Sequence, residues 1–179
     1  MTVLVAYASR YGATAEIAER IADTLSEAGH DAVARPVGEA GDVATAEAVV
    51  LGSAVYLGHW RKEASTFVSA HRADLVARPV WLFSSGPLPG AVVPEKVAED
   101  KGADATPKEV PAAMTDLGAR GHRVFDGKLD PARLGARDRM IRALPAGRGL
   151  LPEVDGRDWN AIEAWAREIA HELDAPAAD

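Results

Sequence analysis

The hydrophobic pattern at the start of the chain predicts a buried strand followed by an amphipathic helix. Residues 3–6 form a continuous apolar run, which is typical of a strand covered on both faces of a parallel sheet. After a polar loop at 9–14, apolar residues recur at helical spacing from Ile17 to Ala28, and Gly29 ends the segment. This part of the chain therefore has the pattern of a strand, a loop and a helix.

The same alternation continues along the chain. The pattern predicts strands at 31–35, 48–53, 80–83 and 123–125, with a loop at 54–60 after the third strand. It predicts helices at 63–72, 112–119, 131–144 and from Asp158 onward. The segment at 88–110 is rich in Pro, Gly and charged residues and is interpreted as an insertion over a strand end. Strands that alternate with helices predict a doubly wound α/β fold with helices on both faces of a parallel sheet.

Length and composition fit one soluble domain. We expect residues 1–174 to form that domain and 175–179 to be a flexible tail, with a cytoplasmic location because no apolar run has signal-peptide or membrane-span character. The chain has no Cys, which excludes disulfides and thiol nucleophiles, so redox chemistry would need a cofactor. A net charge of −7 disfavours nucleic acid as a partner. The five His lack metal-ligand spacing, so no metal is expected.

The loop between the first strand and the first helix has the composition of a phosphate site. A helix N-terminus presents unpaired N–H groups and the positive end of the helix dipole, and a Gly lets the backbone approach a ligand closely. The alternative interpretation is a tight turn in which Thr14 only caps the helix. The candidate residues of this loop are Ser9, Arg10, Tyr11, Gly12, Ala13 and Thr14.

Two further loops follow the third and fourth predicted strands. In the strand order of flavodoxin-like sheets, 2-1-3-4-5, the first, third and fourth strands lie side by side, and ligands bind at the point where the order reverses. For Tyr56, His59 and Trp60, packing under the next helix is an open alternative to ligand contact. The candidate residues are Ala54, Val55, Tyr56, Leu57, Gly58 and His59 in one loop and Ser84, Ser85 and Gly86 in the other.

Three motifs together resemble the flavodoxin-type, menaquinone-dependent protoporphyrinogen oxidases. They are Ser9-Arg10-x-Gly12-x-Thr14, Tyr56-x-Gly58-His59, and Asp158-Trp159 with the later segment 166–171. The resemblance implies an FMN cofactor whose phosphate is wrapped by residues 9–14 and whose ring lies between residues 54–59 and 84–86. It also implies a porphyrinogen as electron donor and a quinone as acceptor, with no side chain acting as an obligatory acid or base.

Other functions remain open at this point. The insertion at 88–110 has mixed charge and no aromatic residue, whereas the oxidase family leads us to expect a basic, aromatic one. One alternative is a one-electron carrier that serves a redox partner protein and has no small-molecule substrate. Another is a flavodoxin-fold binding module with a different flavin or none. The segment with Arg133, Arg137, Arg139 and Arg142 is either a docking helix for an acidic partner or peripheral membrane contact, or a solvated face.

Overall fold

A parallel sheet forms the centre of the protein. The computed structural model describes residues 1–86, 88–89 and 106–175. Five parallel strands have the order β2-β1-β3-β5-β6, and β4 adds an antiparallel pair to β3. A separate antiparallel ribbon joins β7 and β8. The strands are β1 Thr2–Ala8, β2 Asp31–Pro36, β3 Ala48–Tyr56, β4 His59–Trp60, β5 Val80–Ser85, β6 Gly121–Phe125, β7 Lys128–Leu129 and β8 Val154–Asp155.

Helices cover both faces of this sheet. Short 3-10 helices occur at Val37–Glu39, Val43–Thr45 and Pro131–Arg133. Within the described residues, no helix combines the length and apolar character needed to cross a membrane. The α-helices are α1 Ala13–Glu27, α2 Lys62–Ala70, α3 Arg72–Val76, α4 Val110–Leu117, α5 Ala136–Ala143, α6 Gly147–Leu150 and α7 Trp159–Asp174.

The side chains of the central strands alternate between two hydrophobic cores. One core packs α1 and α7 against Val3, Val5 and Val50. The other packs α2, α3 and α4 against Leu4 and residues on neighbouring strands that point the same way. The burial of both faces of β1 explains its continuous apolar run. The strand order of the sheet confirms the predicted order and the doubly wound architecture.

Two predicted helices, and one predicted loop described below, were wrong in detail. The helix expected at 63–72 is divided into α2 and α3 at His71, whose backbone leaves the helical conformation and whose ring packs on Phe67 with centroids 4.6 Å apart. The helix expected at 131–144 is interrupted where Leu134 extends into the core with 2% exposure, and α5 begins only after Gly135.

The segment expected to be a loop at 54–60 is a β-hairpin instead. Strand β3 continues to Tyr56, and β4 returns beside it. The connecting residues Leu57 and Gly58 have φ values of 50° and 82°, as the two central residues of a type I′ turn require. Leu is uncommon in that conformation. The turn at 57–58 also lacks the Asn-Gly or Asp-Gly pair that would have signalled it.

The segments predicted as an insertion and as a tail lie mostly outside the described residues. Most of the insertion predicted at 88–110 falls in 90–105, and the tail predicted at 175–179 falls in 176–179 except for Ala175. The single-domain boundary at 174 stays a prediction, although α7 does end at Asp174.

A test of the core concerns Gly52 in β3. A Cβ at this buried position would collide with the Phe83 ring on β5, which also packs against Phe125 and Trp165. Gly52→Ala is expected to lower the free energy of unfolding by about 1–3 kcal/mol in urea denaturation. The matched control is Gly38→Ala, since an added Cβ there meets nothing within 4 Å. Equal stability of the two variants would contradict this packing.

Candidate functional site

The three candidate loops begin at one level of the sheet. Ala8 pairs with Ser53 on β3, and Ser53 pairs with Ser84 on β5. The residues that follow these positions therefore emerge side by side at the carboxyl edge of three neighbouring strands. The structure thus brings the segments 9–14, 54–59 and 84–86 together, as the sequence predicted.

The first loop leaves the N-terminus of α1 free of side-chain caps. Gly12 is the N-cap residue, with φ +91°, and its N–H donates to Ser9 Oγ at 3.1 Å. Among the described residues no side chain caps the helix, and Thr14 is buried inside its first turn. The interpretation in which Thr14 is the cap is therefore wrong. The first N–H groups of the helix can bind an anion.

The large side chains of this loop contact α5. Arg10 Nη2 lies 3.1 Å from Asp138 Oδ2, and the Tyr11 hydroxyl donates a hydrogen bond to the same carboxylate. The Arg10 guanidinium also lies over the rings of Tyr11 and Tyr56, 5.1 and 5.4 Å from their centroids. Burial, followed by the bond to Asp138, raises the pKa of Tyr11, so its hydroxyl remains a donor. These contacts fasten the loop to α5.

Glu16, in the first turn of α1, joins two arginines from the distant C-terminal part of the chain. Its Oε2 is 2.6 Å from Arg157 Nη1, and its Oε1 is 3.0 Å from Arg133 Nη1. Arg157 is only 3% exposed and also pairs with Asp155 at 2.7 Å. Burial acts to raise the pKa of Glu16, but the hydrogen bond and charge of Arg157, with the charges of Lys128 and Arg133, outweigh it and lower the pKa.

The hairpin is held by Glu109, near the end of the segment predicted as an insertion at 88–110. The Glu109 carboxylate lies 2.8 Å from His59 Nδ1 and accepts a 2.9 Å hydrogen bond from the Trp60 N–H. Burial acts to raise the pKa of Glu109, but these two bonds lower it overall. Burial, aided by Tyr11 and Asp138, raises the pKa of Tyr56 to about 12, so its phenol stays neutral. The turn at Leu57 is 66% exposed, so this residue projects from the hairpin.

The third loop turns its serine side chains inward. Ser84 is fully buried, accepts a 2.8 Å hydrogen bond from Trp60 Nε1 and lies 2.9 Å from His122 Nε2. Gly86 has φ +119°, and its N–H donates to Phe125 O at 2.8 Å. For Trp60, the packing alternative is what the structure shows. Ser84 and Ser85 reach the site through their backbone, and their role as a wall stays a prediction.

A cavity of about 350 Å³ lies between the hairpin and α5. Tyr56 and Leu57 form one part of its wall, and Ile141 forms another. Four cationic side chains and the two carboxylates of Glu63 and Asp138 line this cavity, so the formal charge of its lining is positive. The whole chain, by contrast, has a net charge of −7. The cationic residues are Arg10, Arg61, Lys62 and Arg137.

Sequence reasoning missed several residues of this site. Asp138, Glu109, Arg157 and Arg133 are distant in sequence from the loops that they contact. The Arg-rich character of the segment after β6 was the one available signal, and it was interpreted either as a docking helix or as a solvated face. In the structure Arg139 and Arg142 donate to the carbonyls of Leu134 and Leu151, while Met140 is 73% exposed.

Comparison with known families agrees with this geometry. The model of the family described as "Flavodoxin domain" matches residues 4–146. The chain belongs to the flavodoxin domain family. Membership indicates a flavin-binding redox protein, in line with the sequence-based resemblance.

This flavodoxin-family chain is also similar to a named relative and to solved structures. The Escherichia coli (strain K12) protein named "Protoporphyrinogen IX dehydrogenase [quinone]" is 30% identical over 188 aligned residues, covering 98% of each chain. A mutant flavodoxin from Pseudomonas aeruginosa has a TM-score of 0.61 at 18% identity, covering 98% of this chain and 100% of that one. Flavodoxin 1 from Bacillus cereus has a TM-score of 0.62 at 15% identity, covering 97% and 100%. These structures share the fold.

The Glu16 network predicts a specific acid sensitivity. Because the pKa of Glu16 is below its ordinary value of 4.5, its ionised form contributes stability above that pH, and the contribution is lost as the pH falls through the lowered value. Glu16→Gln should cost about 1–3 kcal/mol at neutral pH, since the buried Arg157 loses a charged partner. Urea denaturation at pH values from about 7 to about 3 should show the gap to the parent narrowing in acid.

The control for this measurement is Glu168→Gln. Glu168 is 61% exposed and pairs with Arg123 at 3.3 Å, so its replacement should cost under about 1 kcal/mol. A Glu16→Gln variant as stable as the parent at neutral pH would show that the network does not hold the loop.

Proposed function

We propose that this protein is an FMN-dependent oxidoreductase whose flavin phosphate binds residues 9–14. The observation that supports the proposal most strongly is the uncapped N-terminus of α1, with Gly12 in the left-handed conformation at the carboxyl edge of β1. In this chain of the flavodoxin domain family, that helix N-terminus lies at the same edge of the sheet as the two other candidate loops.

The residues present fit a phosphomonoester. Ser9 supplies a hydroxyl, the first turn of α1 supplies N–H groups, and Gly12 adopts the left-handed conformation that joins them. The isoalloxazine ring would lie between the hairpin at 54–59 and the segment at 84–86, with the half-buried Tyr56 as an aromatic wall. Bound FMN would supply the redox chemistry, accepting electrons from a reduced substrate and passing them to an oxidant.

The side chains around this site would position the ring and its substrate. Tyr56 stays neutral because its pKa is raised to about 12, so it presents an uncharged face. Leu57 is strained and exposed at the tip of the hairpin, where its peptide group and that of Gly58 can reach a ring edge. Glu109 fixes the hairpin by binding both His59 and the Trp60 N–H.

The proposed substrate is an acidic porphyrinogen, with a quinone as the electron acceptor. The E. coli relative's name supplies this pair, and the cationic cavity beside Tyr56 and Leu57 supports a carboxylate-bearing substrate. A one-electron carrier would need no such cavity, since it exchanges electrons through its surface. The cavity therefore favours a dehydrogenase over the carrier alternative.

Flavin binding is tested with a pair of glycine variants. Gly12→Ala should weaken FMN binding at least about tenfold, because a Cβ would collide with Arg133 Nη1 and shift the loop, so that one charge-assisted hydrogen bond to the phosphate is lost. Gly29→Ala is the control, because Gly29 has a similar φ of +95° with nothing within 4 Å. Fluorescence quenching of FMN measures both. If the parent does not quench FMN, or if both variants match the parent, the assignment of the loop fails.

The proposed reaction is tested with protoporphyrinogen IX and a menaquinone analogue under anaerobic conditions. The FMN-loaded parent should accelerate porphyrin formation, and Arg137→Gln should raise KM several-fold, because one cation of the cavity is lost. Arg123→Gln, which removes an exposed arginine on β6, is the control. No acceleration by the flavin-loaded protein, together with electron uptake in two well-separated one-electron steps, would favour the carrier alternative.

A further inference from the structure

Arg133 covers the N-terminus of α1 from a distant part of the chain. Its Nη1 lies 3.0 Å from Glu16 Oε1 and 3.5 Å from the carbonyl oxygen of Tyr11. A Cβ placed on Gly12 would collide with that same nitrogen. The guanidinium group therefore lies beside Gly12, where the candidate loop meets the first turn of α1.

The backbone beside Arg133 is anchored, while about half of its side chain is exposed. Asp130 Oδ1 accepts a 2.9 Å hydrogen bond from the Ala132 N–H, and the neighbouring Leu134 is buried. The Arg133 side chain is 51% exposed. A single exposed ion pair of this kind contributes little, so Arg133 can leave Glu16 at low cost.

Glu16 keeps a partner when Arg133 leaves. Arg157 donates to Glu16 Oε2 at 2.6 Å, and its 3% exposed side chain is held by Asp155 and lies 4.5 Å from the Trp159 ring centroid. Arg157 is therefore the fixed partner of Glu16, and Arg133 is the exchangeable one.

Arg10, the cation that the sequence suggested for the phosphate, has other contacts in this structure. Its guanidinium pairs with Asp138 and lies over two tyrosine rings. Arg133, by contrast, has its guanidinium beside Gly12.

We infer that Arg133 is a phosphate-binding residue that exchanges its contact with Glu16 for the flavin phosphate when FMN binds. The inference rests on the proposed FMN site. A guanidinium group donates two parallel N–H bonds to a phosphate, which a neutral hydroxyl cannot accept in the same way. Arg133 thus makes the site selective for the phosphorylated flavin over riboflavin.

The ratio of FMN to riboflavin affinity tests this role. Both are titrated by fluorescence quenching into the parent, Arg133→Gln, Arg133→Lys and Arg123→Gln. Arg123 is the matched control because its side chain is also 51% exposed and paired with a glutamate. Arg133→Gln should lower the FMN to riboflavin ratio by roughly tenfold or more, with riboflavin affinity unchanged. Arg133→Lys should retain part of the selectivity, and Arg123→Gln all of it.

The outcomes separate this inference from the proposed function. If the parent binds neither flavin, the proposed function fails and this inference fails with it. If the parent prefers FMN and Arg133→Gln keeps the same ratio, the FMN site stands and the role of Arg133 is refuted. Equal loss of FMN and riboflavin affinity would also refute it, because that pattern indicates a structural role.

Discussion

The parallel register of β1, β3 and β5 is the constraint on which the site depends. Ala8, Ser53 and Ser84 lie in one row across the sheet, so three loops far apart in sequence leave the strands at the same height. The row is fixed because both faces of these strands are buried, and a slip of one residue would turn every apolar side chain to the wrong core. Packing in the core thus places the loops that would hold a cofactor.

Contacts from later parts of the chain then hold each loop in place. Asp138 on α5 binds Arg10 and Tyr11, and Glu109 binds the hairpin. Glu16 lies near the positive end of α1, where a carboxylate is favoured by the helix dipole but would repel a phosphate. The positive charges of Arg133 and Arg157, which pair with Glu16, offset that repulsion. This explains why a carboxylate is tolerated beside the proposed anion site.

The sequence was sufficient for the five parallel strands and for placing the three candidate loops at one edge of the sheet. The apolar run at 3–6 and its counterparts had the composition of buried parallel strands, and their spacing matched a doubly wound fold. Interruptions that depend on tertiary packing were not visible. Leu134 breaks a helical pattern because it enters the core, and Leu57 adopts a left-handed conformation that its residue type disfavours. Neither event has a local signal.

The distribution of charge around the site was also beyond sequence reasoning. Arg10 lies within the candidate loop at 9–14, whereas Arg133 is adjacent to that loop only in space. Four arginines in one segment resemble a docking surface, yet folding assigns them different partners. Pairings over more than a hundred residues follow from the fold and not from local pattern.

The most direct measurement is the ³¹P NMR signal of FMN in the complex as the pH is varied. A free phosphomonoester changes its chemical shift as it titrates with a second pKa of about 6. If the N–H groups of α1 and the nearby arginine hold the dianion, the signal of bound FMN should stay constant from about pH 8 to about pH 5.5, because each binding group favours the charged form. A bound signal that titrates like free FMN would show that the phosphate lies in solvent and would contradict the account.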